Sequence, residues 1–502
     1  MNNSFLINFC VIVTQFSVVM SILILAFTAV LSFFSTRFTS VNLIKNDSTA
    51  FFIKFILVTE LAIFFILNLI LFFMFTLSLK LSLIDSIISH THTNSYFNFS
   101  IPVNLFSLEL SIDVVGVIFS NLAFFVGFIS LLCLDTRFYW NNYKFIFVCN
   151  IIVVSVFFFT LTNNFFIFFL MYELLLIPSF LFVYFVSPGK QSVQASIYFV
   201  IWTQAGSFLV FLAVCSLITT LGSSSFDSIR NFNFTRNEQV ILMNLFFFGF
   251  GFKIPIWPFH YWITKTHVEA PTGFSIFLSG FLVKSAIFGF YKFSILFGDA
   301  TNTVLFSTFC LLGIIDASLK MWGQTDLKKL VAYATIQEMG LIYLVFCWGD
   351  TLFIYGGILF CITHALISAL FFYFVDCVNR RFGSRNITEV NGILHVTPNL
   401  ATAILLGCII YSGIPGSLKF ISEVYIFSGL LESTPVSCVL TIFIANFLGL
   451  VGFSKVWFNL VFGLMVIKKG QIPKDLAIRE VYIIMICILG LFFYGSWAPF
   501  IF

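Results

Sequence analysis

Long apolar runs recur from one end of this 502-residue chain to the other, and no other feature limits its fold so severely. Several exceed about eighteen residues, the length at which a helix crosses the hydrocarbon core of a bilayer. Inside lipid no water is available to peptide groups, so only structures that pair every N–H and C=O internally can span. A membrane barrel would alternate polar and apolar residues over strands of about ten, whereas these runs are continuously apolar. The expected fold class is therefore an all-α polytopic membrane protein, one integral membrane domain over residues 1–502. About fourteen spans are legible, centred near residues 20, 65, 123, 153, 175, 207, 248, 283, 311, 339, 364, 413, 450 and 491. Charged residues are 9% of the chain, against about 25% in soluble domains. The opening MNNSFLINFC has no basic segment, and the apolar run containing it is too long for a signal peptide, which predicts a retained first span.

Lysine and arginine orient the spans. With the N-terminus outside, the inside loops carry Arg37, Lys45, Arg137, Lys144, Lys190, Lys265, Lys328, Lys329, Arg380, Arg381, Arg385, Lys468, Lys469, Lys474 and Arg479. The outside loops carry only Lys80, Arg230 and Arg236, a strong positive-inside bias that also supports the number of spans. The polar stretch between Leu81 and Asp113 is expected to form a short outside hairpin.

Several chemistries are not signalled. The eleven cysteines are scattered singly, with no CxxC pair for zinc or an iron–sulfur cluster. There is no GxGxxG and no phosphate-binding loop. The expectation is a chain with no redox cofactor, nucleotide or metal of its own. A net charge of +4 gives no sign of nucleic acid. Phenylalanine is abundant, at 74 residues. Phe packs no better in lipid than Leu, so an AT-rich organelle genome is the expected cause.

Function is to be sought among the charges that lie in lipid. Lys54, Lys253, Lys284, Lys292, Lys320, Lys419 and Lys455 fall within spans or near their ends. A charge at mid-bilayer costs roughly 2.5–3.5 kcal/mol on insertion scales. Lys54, Lys292, Lys320 and Lys455 can snorkel to water. Lys284 is too central to do so. Glu173, in FFIFFLMYELLLIP, is equally central, with Lys253 as its natural partner. Two readings stand for that pair: an ion bridge that fixes helix packing, or a switch in which movement of the carboxylate decides whether the lysine holds its proton. His364, in CITHALISAL, is either a satisfied core histidine or a proton carrier. Glu338 and Glu423 complete the set. In chain order it reads Glu173, Lys253, Lys284, Glu338, His364, Glu423, a proton relay across the bundle.

Two spans are interrupted beside these charges. Pro255 and Pro258 follow Lys253 in GFKIPIWPFHYW and lack the N–H groups that earlier carbonyls need. The second interruption, Ser412–Gly413–Ile414–Pro415–Gly416, precedes Lys419 and Glu423. Freed backbone groups must find protein or water, so each break is a place for water to enter. Paired broken helices are the mark of transporters built from inverted repeats. Lys419, Pro255, Pro258 and Pro415 are the expected gating positions.

The same residues carry a resemblance. KIPIWPFHYWITKTHVEAPT with FLVKSAIFGFYK resembles the lysine–proline–histidine motif and following lysine of the antiporter-like membrane subunits of respiratory complex I. QTDLKKLVAYATIQEMGL, THALISALFF, IPGSLKFISE and FSLELSIDVVGVIFSNL resemble further family segments, in the family's order. The resemblance covers residues from about 105 to 425. It implies two inverted five-helix repeats, 144–295 and 301–470, with a broken helix in each. It implies that Glu173 and Lys253 form a modulating pair, that Lys284 is the central relay and that Glu423 faces the exit. It implies partners carrying NAD, FMN, iron–sulfur clusters and ubiquinone, among them the subunit 2-like and 5-like paralogues, in lipid of the mitochondrial inner membrane with the N-terminus on the intermembrane-space side. Glu423 stands where those two paralogues carry lysine, and the chain stops after the fourteenth span without a lateral helix.

Two positions depart from the pattern. Glu338 stands where relatives often have histidine, and Lys419 where a small or amide residue is usual. On a continuous helix Lys419 and Glu423 share a face, so Lys419 either pairs with Glu423 and gates it or snorkels away. The same family includes subunits of cation/proton antiporters, which is the first rival function; a non-pumping structural subunit is the second.

Overall fold

The computed structural model describes residues 62, 66, 100–105, 108–134, 143–186, 190–297, 303–348, 351–464 and 473–501. The spans expected near 20 and 65 lie outside these residues, apart from two isolated positions. So do Arg37, Lys45, Lys54, Lys80, Arg137, Lys468 and Lys469 of the charge pattern, and residues 81–99 of the expected hairpin. Eight helices among the described residues are long and apolar enough to cross a membrane. The expected centres from 123 onward fall on helices, except 175, which falls on the step between two helices, and 413, which falls on a break.

The chain divides into two compact units, Met1–Leu181 with Val214–Phe232, and Phe182–Ala213 with Asn233–Phe502. In the first, strands β1 (Ser100–Leu105) and β2 (Leu108–Asp113) form an antiparallel hairpin, Ser100 facing Asp113 and Leu105 facing Leu108. This is the C-terminal part of the hairpin expected from the polar stretch. Helices α1 (Val114–Cys133), α2 (Tyr143–Leu161) and α3 (Phe165–Leu174) follow. Asn164 starts α3: its side-chain oxygen accepts from the N–H groups of Phe166 and Ile167, at 2.9 and 3.2 Å. Such a cap satisfies donors that a helix start leaves open. The Asn164 amide also donates to Ser224 Oγ at 2.7 Å, which ties α3 to the segment before the short helix α6 (Phe226–Asn231). The step between α3 and α4 (Leu176–Val186) has a covalent cause, since Pro178 offers no N–H to the carbonyl of Leu174.

Helix α5 (Lys190–Leu221) contributes its residues up to Ala213 to the second unit. There α7 (Arg236–Lys253) begins with a reciprocal cap. The Thr235 hydroxyl accepts from Glu238 N–H, and the Glu238 carboxylate accepts from Thr235 N–H. After α8 (Tyr261–Glu269) the next span is composite: α9 (Thr272–Phe277), a π turn (Leu278–Leu282) and α10 (Val283–Phe297). Helices α11 (Thr303–Met321), α12 (Leu327–Trp348), α13 (Thr351–Phe382), α14 (Pro398–Tyr411), α15 (Leu418–Ser433), α16 (Val436–Phe462) and α17 (Ile478–Ile501) complete it.

The composite span, α12 and α13 are buried along nearly their whole length, whereas α11 and α16 leave most of theirs open. This is why Lys284 on α10, Glu338 on α12 and His364 on α13 matter: all three are buried and cannot reach solvent by snorkelling. Apolar tails give helices in lipid little hydrophobic reason to associate, so close fit and hydrogen bonds do the work. Phe247 stacks on Phe306 and Tyr343 with centroids 4.0 and 5.0 Å apart, and Tyr343 donates its hydroxyl to the Phe247 carbonyl at 2.7 Å. A side chain at Gly206 would meet the Gly249 carbonyl at 2.4 Å, a close helix approach that only small residues allow. Segment ends are stapled by charge. Asp326 pairs with Arg385 at 3.0 Å, and Arg385 donates to the Val268 carbonyl. Arg381 pairs with Glu480. Lys328, read as a loop lysine, is instead buried and donates to the Ala270 carbonyl at 2.5 Å.

Candidate functional site: a buried chain of ionisable groups

Each broken helix re-satisfies its own backbone. Pro255 cannot donate to Gly251, and that carbonyl takes Ile256 N–H instead, at 3.1 Å. The Phe252 carbonyl accepts the Trp262 indole at 3.0 Å. The interruption is thus a built turn between α7 and α8, with Lys253 buried as the last residue of α7. In the second interruption Gly413 and Gly416 have φ of 78° and 93°, a region that glycine alone enters without strain. Gly413 also makes room, because a Cβ there would sit 2.8 Å from Glu423 Oε2. Ser417 then caps α15, its hydroxyl accepting from Phe420 N–H.

Between these breaks five ionisable side chains from four helices form a continuous line. Lys284, on α10 just past the π turn, is fully buried. Its ammonium donates to the Ser279 carbonyl and to His364 Nδ1, both at 2.7 Å. A π turn leaves a carbonyl out of register with the helix N–H groups, and here the lysine occupies it. With Lys284 as an ammonium, which has no acceptor capacity, His364 Nδ1 accepts and the ring proton sits on Nε2. That nitrogen lies 4.0 Å from Glu338 Oε2 on α12, beyond hydrogen-bond distance, and has no other hydrogen-bond partner. Glu338 Oε1 is in a 2.7 Å ion pair with Lys419 Nζ on α15. Lys419 lies over the Tyr411 ring, 3.8 Å from its centroid, and 3.8 Å from Glu423 Oε1. Lys284, His364, Glu338 and Lys419 are buried; the Glu423 side chain is 26% exposed and is the end open to the outside of the chain.

All six relay residues and all four gating positions expected from the sequence lie within the described residues. The structure joins Lys284, His364, Glu338 and Glu423, and adds Lys419 as a member. Their spatial order differs from chain order, because His364 on α13 stands between Lys284 and Glu338. Lys419 pairs more closely with Glu338 than with Glu423, its neighbour on the same helix face, so the ion pair runs between helices. Lys253 belongs to the second unit and Glu173, half-buried near the end of α3, to the first. Lys320 does not simply snorkel: it pairs with Asp316 at 2.6 Å, and Asp316 lies 3.1 Å from His260 Nε2.

Sequence reasoning missed three groups. His267, within the quoted THVEAP, is fully buried and stacked on Phe372, and neither ring nitrogen has a hydrogen-bond partner. Lys328 and the His260–Asp316–Lys320 cluster were also passed over. A histidine inside the motif was the only available signal, since the partners come from elsewhere in the chain. Among the described residues no cluster of His, Cys, Asp and Glu could hold a metal ion.

Comparison with known proteins agrees with this geometry. The chain is 42% identical over 396 residues to NADH-ubiquinone oxidoreductase chain 4 of Paramecium tetraurelia, covering 79% of this chain and 83% of the relative. A chain of respiratory complex I from Thermus thermophilus superposes with a TM-score of 0.78 at 20% identity, covering 97% and 96% of the two chains. A chain of the Mrp complex from Dietzia sp. superposes equally well, with a TM-score of 0.78 at 15% identity over 96% and 95%. Residues 162–449 match the family described as NADH:quinone oxidoreductase/Mrp antiporter, transmembrane. That segment contains both broken helices and every member of the buried line, and the chain belongs to this family.

Proposed function

We propose that this chain is the subunit 4 type membrane-arm subunit of an NADH:ubiquinone oxidoreductase, complex I, and that it moves protons while the redox chemistry occurs elsewhere. One observation carries the reading: the line Lys284–His364–Glu338–Lys419–Glu423, with successive steps of 2.7, 4.0, 2.7 and 3.8 Å, running from the buried interior to a half-open end. Buried charges in a membrane protein are costly, and here they are neither scattered nor sealed pair by pair. A proton on Lys284 passes to His364 Nδ1 as the ring yields its Nε2 proton to Glu338, and Glu423 releases a proton at the exposed end. Imidazole suits the middle position because it accepts on one nitrogen while donating from the other.

The repeats 144–295 and 301–470 are the two halves of this reading: Glu173 and Lys253 are the modulating residues of the first, and Lys284, also in the first, hands its proton to the line from His364 to Glu423 in the second. The chain itself holds no cofactor; NAD, FMN, iron–sulfur clusters and ubiquinone belong to partner subunits, and the subunit 2-like and 5-like paralogues are its neighbours. Its place is the mitochondrial inner membrane, organelle-encoded, with the N-terminus towards the intermembrane space. The name of the Paramecium relative favours this over free cation/proton exchange.

The test is Lys284→Ala in the assembled complex, reconstituted in sealed vesicles. Proton uptake driven by NADH oxidation is expected to fall severely while the complex assembles normally. Full pumping by that variant would refute the relay. Sodium/proton exchange with no link to NADH oxidation would replace it by the antiporter function.

A further inference from the structure

We infer that Lys419 is a permanent counter-charge that keeps a single mobile proton in the buried line, and not itself a proton carrier. The inference rests on the relay reading and assigns Lys419 a role within it.

The argument is one of charge balance in a place where imbalance is expensive. The groups that bear or can take charge along the line are Lys284, Glu338, Lys419 and Glu423, with His364 as the neutral bridge. Bordering titratable groups are Cys361, Tyr411 and His267, which carry no charge in their ordinary forms. Suppose Lys419 stays cationic. The line is then neutral in only three arrangements: a proton on Lys284 with both carboxylates ionised, or a neutral Lys284 with the proton on Glu338 or on Glu423. Each differs from the next by moving one proton along the line. Without Lys419, neutrality requires a second proton, and both carboxylates are protonated whenever Lys284 is neutral. While Lys284 is charged one carboxylate is already protonated, and whenever that resident proton sits on Glu338, which faces His364, a proton leaving Lys284 finds its acceptor filled.

The contacts fit a fixed charge. Lys419 is held on one side by a 2.7 Å ion pair and from below by the Tyr411 ring, and it reaches either carboxylate by a small swing, with Glu423 at 3.8 Å. With the proton on Glu338, the ammonium is drawn to ionised Glu423; with the proton on Glu423, it returns to Glu338. The cation swings by about one ångström and keeps its own protons; the proton crosses from Glu338 to Glu423 through water admitted at the Gly413 break, against which Glu423 lies, and each cycle takes one proton from Lys284 and releases one from Glu423. Glu338 and Lys419, on separate helices, are each other's nearest counter-charge.

The test compares Lys419→Arg, Lys419→Met and Lys284→Ala in the complex reconstituted in vesicles. Arginine is always charged and cannot carry a proton. Lys419→Arg is expected to pump within about threefold of the parent, and Lys419→Met to lose most NADH-driven proton uptake. Infrared spectra of the Met variant are expected to gain a protonated-carboxyl band at neutral pH that disappears when Glu423→Gln is added. If Lys419→Met fails to assemble, Lys419→Gln replaces it. Loss of pumping in Lys419→Arg equal to that in Lys419→Met would make Lys419 a proton carrier and overturn the inference. Parental pumping by Lys419→Met, with Lys284→Ala inactive, would also overturn it while leaving the relay standing. Parental pumping by Lys284→Ala would sink the relay itself.

Discussion

Replacing Glu338 by leucine strands the Lys419 ammonium, and the cost can be worked from its surroundings. Both side chains are almost fully buried and paired at 2.7 Å. Removing one partner of such a pair typically costs about 3–5 kcal/mol. Lys419 retains the Tyr411 face and Glu423 at 3.8 Å, so the low end, about 3 kcal/mol, is expected for Glu338→Leu. The reverse single change, Lys419→Met, costs less, about 2 kcal/mol, because a stranded carboxyl escapes by binding a proton. The double variant Glu338→Leu/Lys419→Met removes both charges, and apolar replacement of a whole buried pair is often neutral. It should therefore lie within about 1 kcal/mol of the parent, which leaves a coupling of about 4–6 kcal/mol between the two sites. The assay is the half-life of assembled complex at a fixed elevated temperature, read on native gels, since a large membrane assembly unfolds irreversibly. Glu338→Leu should shorten it far more than the double variant. If the double variant is as short-lived as the sum of the singles requires, the pair carries no coupling and the energetic reasoning fails. The double variant should be stable and yet fail to pump, which separates the structural from the functional role of Glu338.

Two further outcomes follow from the broken helices. Gly413→Ala forces a left-handed backbone on alanine, at about 1–2 kcal/mol, and drives Glu423 from its position 2.8 Å from the new Cβ; proton uptake per NADH should fall with the complex still assembled, and unchanged uptake would show that the Glu423 position is not critical. Trp262→Phe leaves the Phe252 carbonyl without its indole donor, a loss of about 1–3 kcal/mol; thermal half-life should drop, and an unchanged half-life would mean that the turn after Lys253 does not depend on that bond.

Much of the fold was legible because lipid imposes a one-dimensional rule. Length and apolarity locate spans. Pro255, Pro258 and the Gly413–Gly416 turn mark breaks for covalent reasons that need no neighbours. Charges in spans, such as Lys284 and Glu338, stand out for the same reason. Lys328 escaped because it lies in the first turn of its span, where a sequence cannot distinguish a solvated lysine from one turned under a neighbouring carbonyl.

What the residues determined alone was therefore the inventory: helices crossing a membrane, two of them broken, and a set of titratable groups too deep to be solvated. The tertiary structure decided their order. Helical periodicity places Lys419 beside Glu423 on one face, but its 2.7 Å partner is Glu338, 81 positions away in the chain. His364 stands between Lys284 and Glu338 only because α10, α12 and α13 pack together with those faces inward. Which faces meet depends on the fit of side chains between helices, a property of pairs of surfaces that no single stretch of sequence contains.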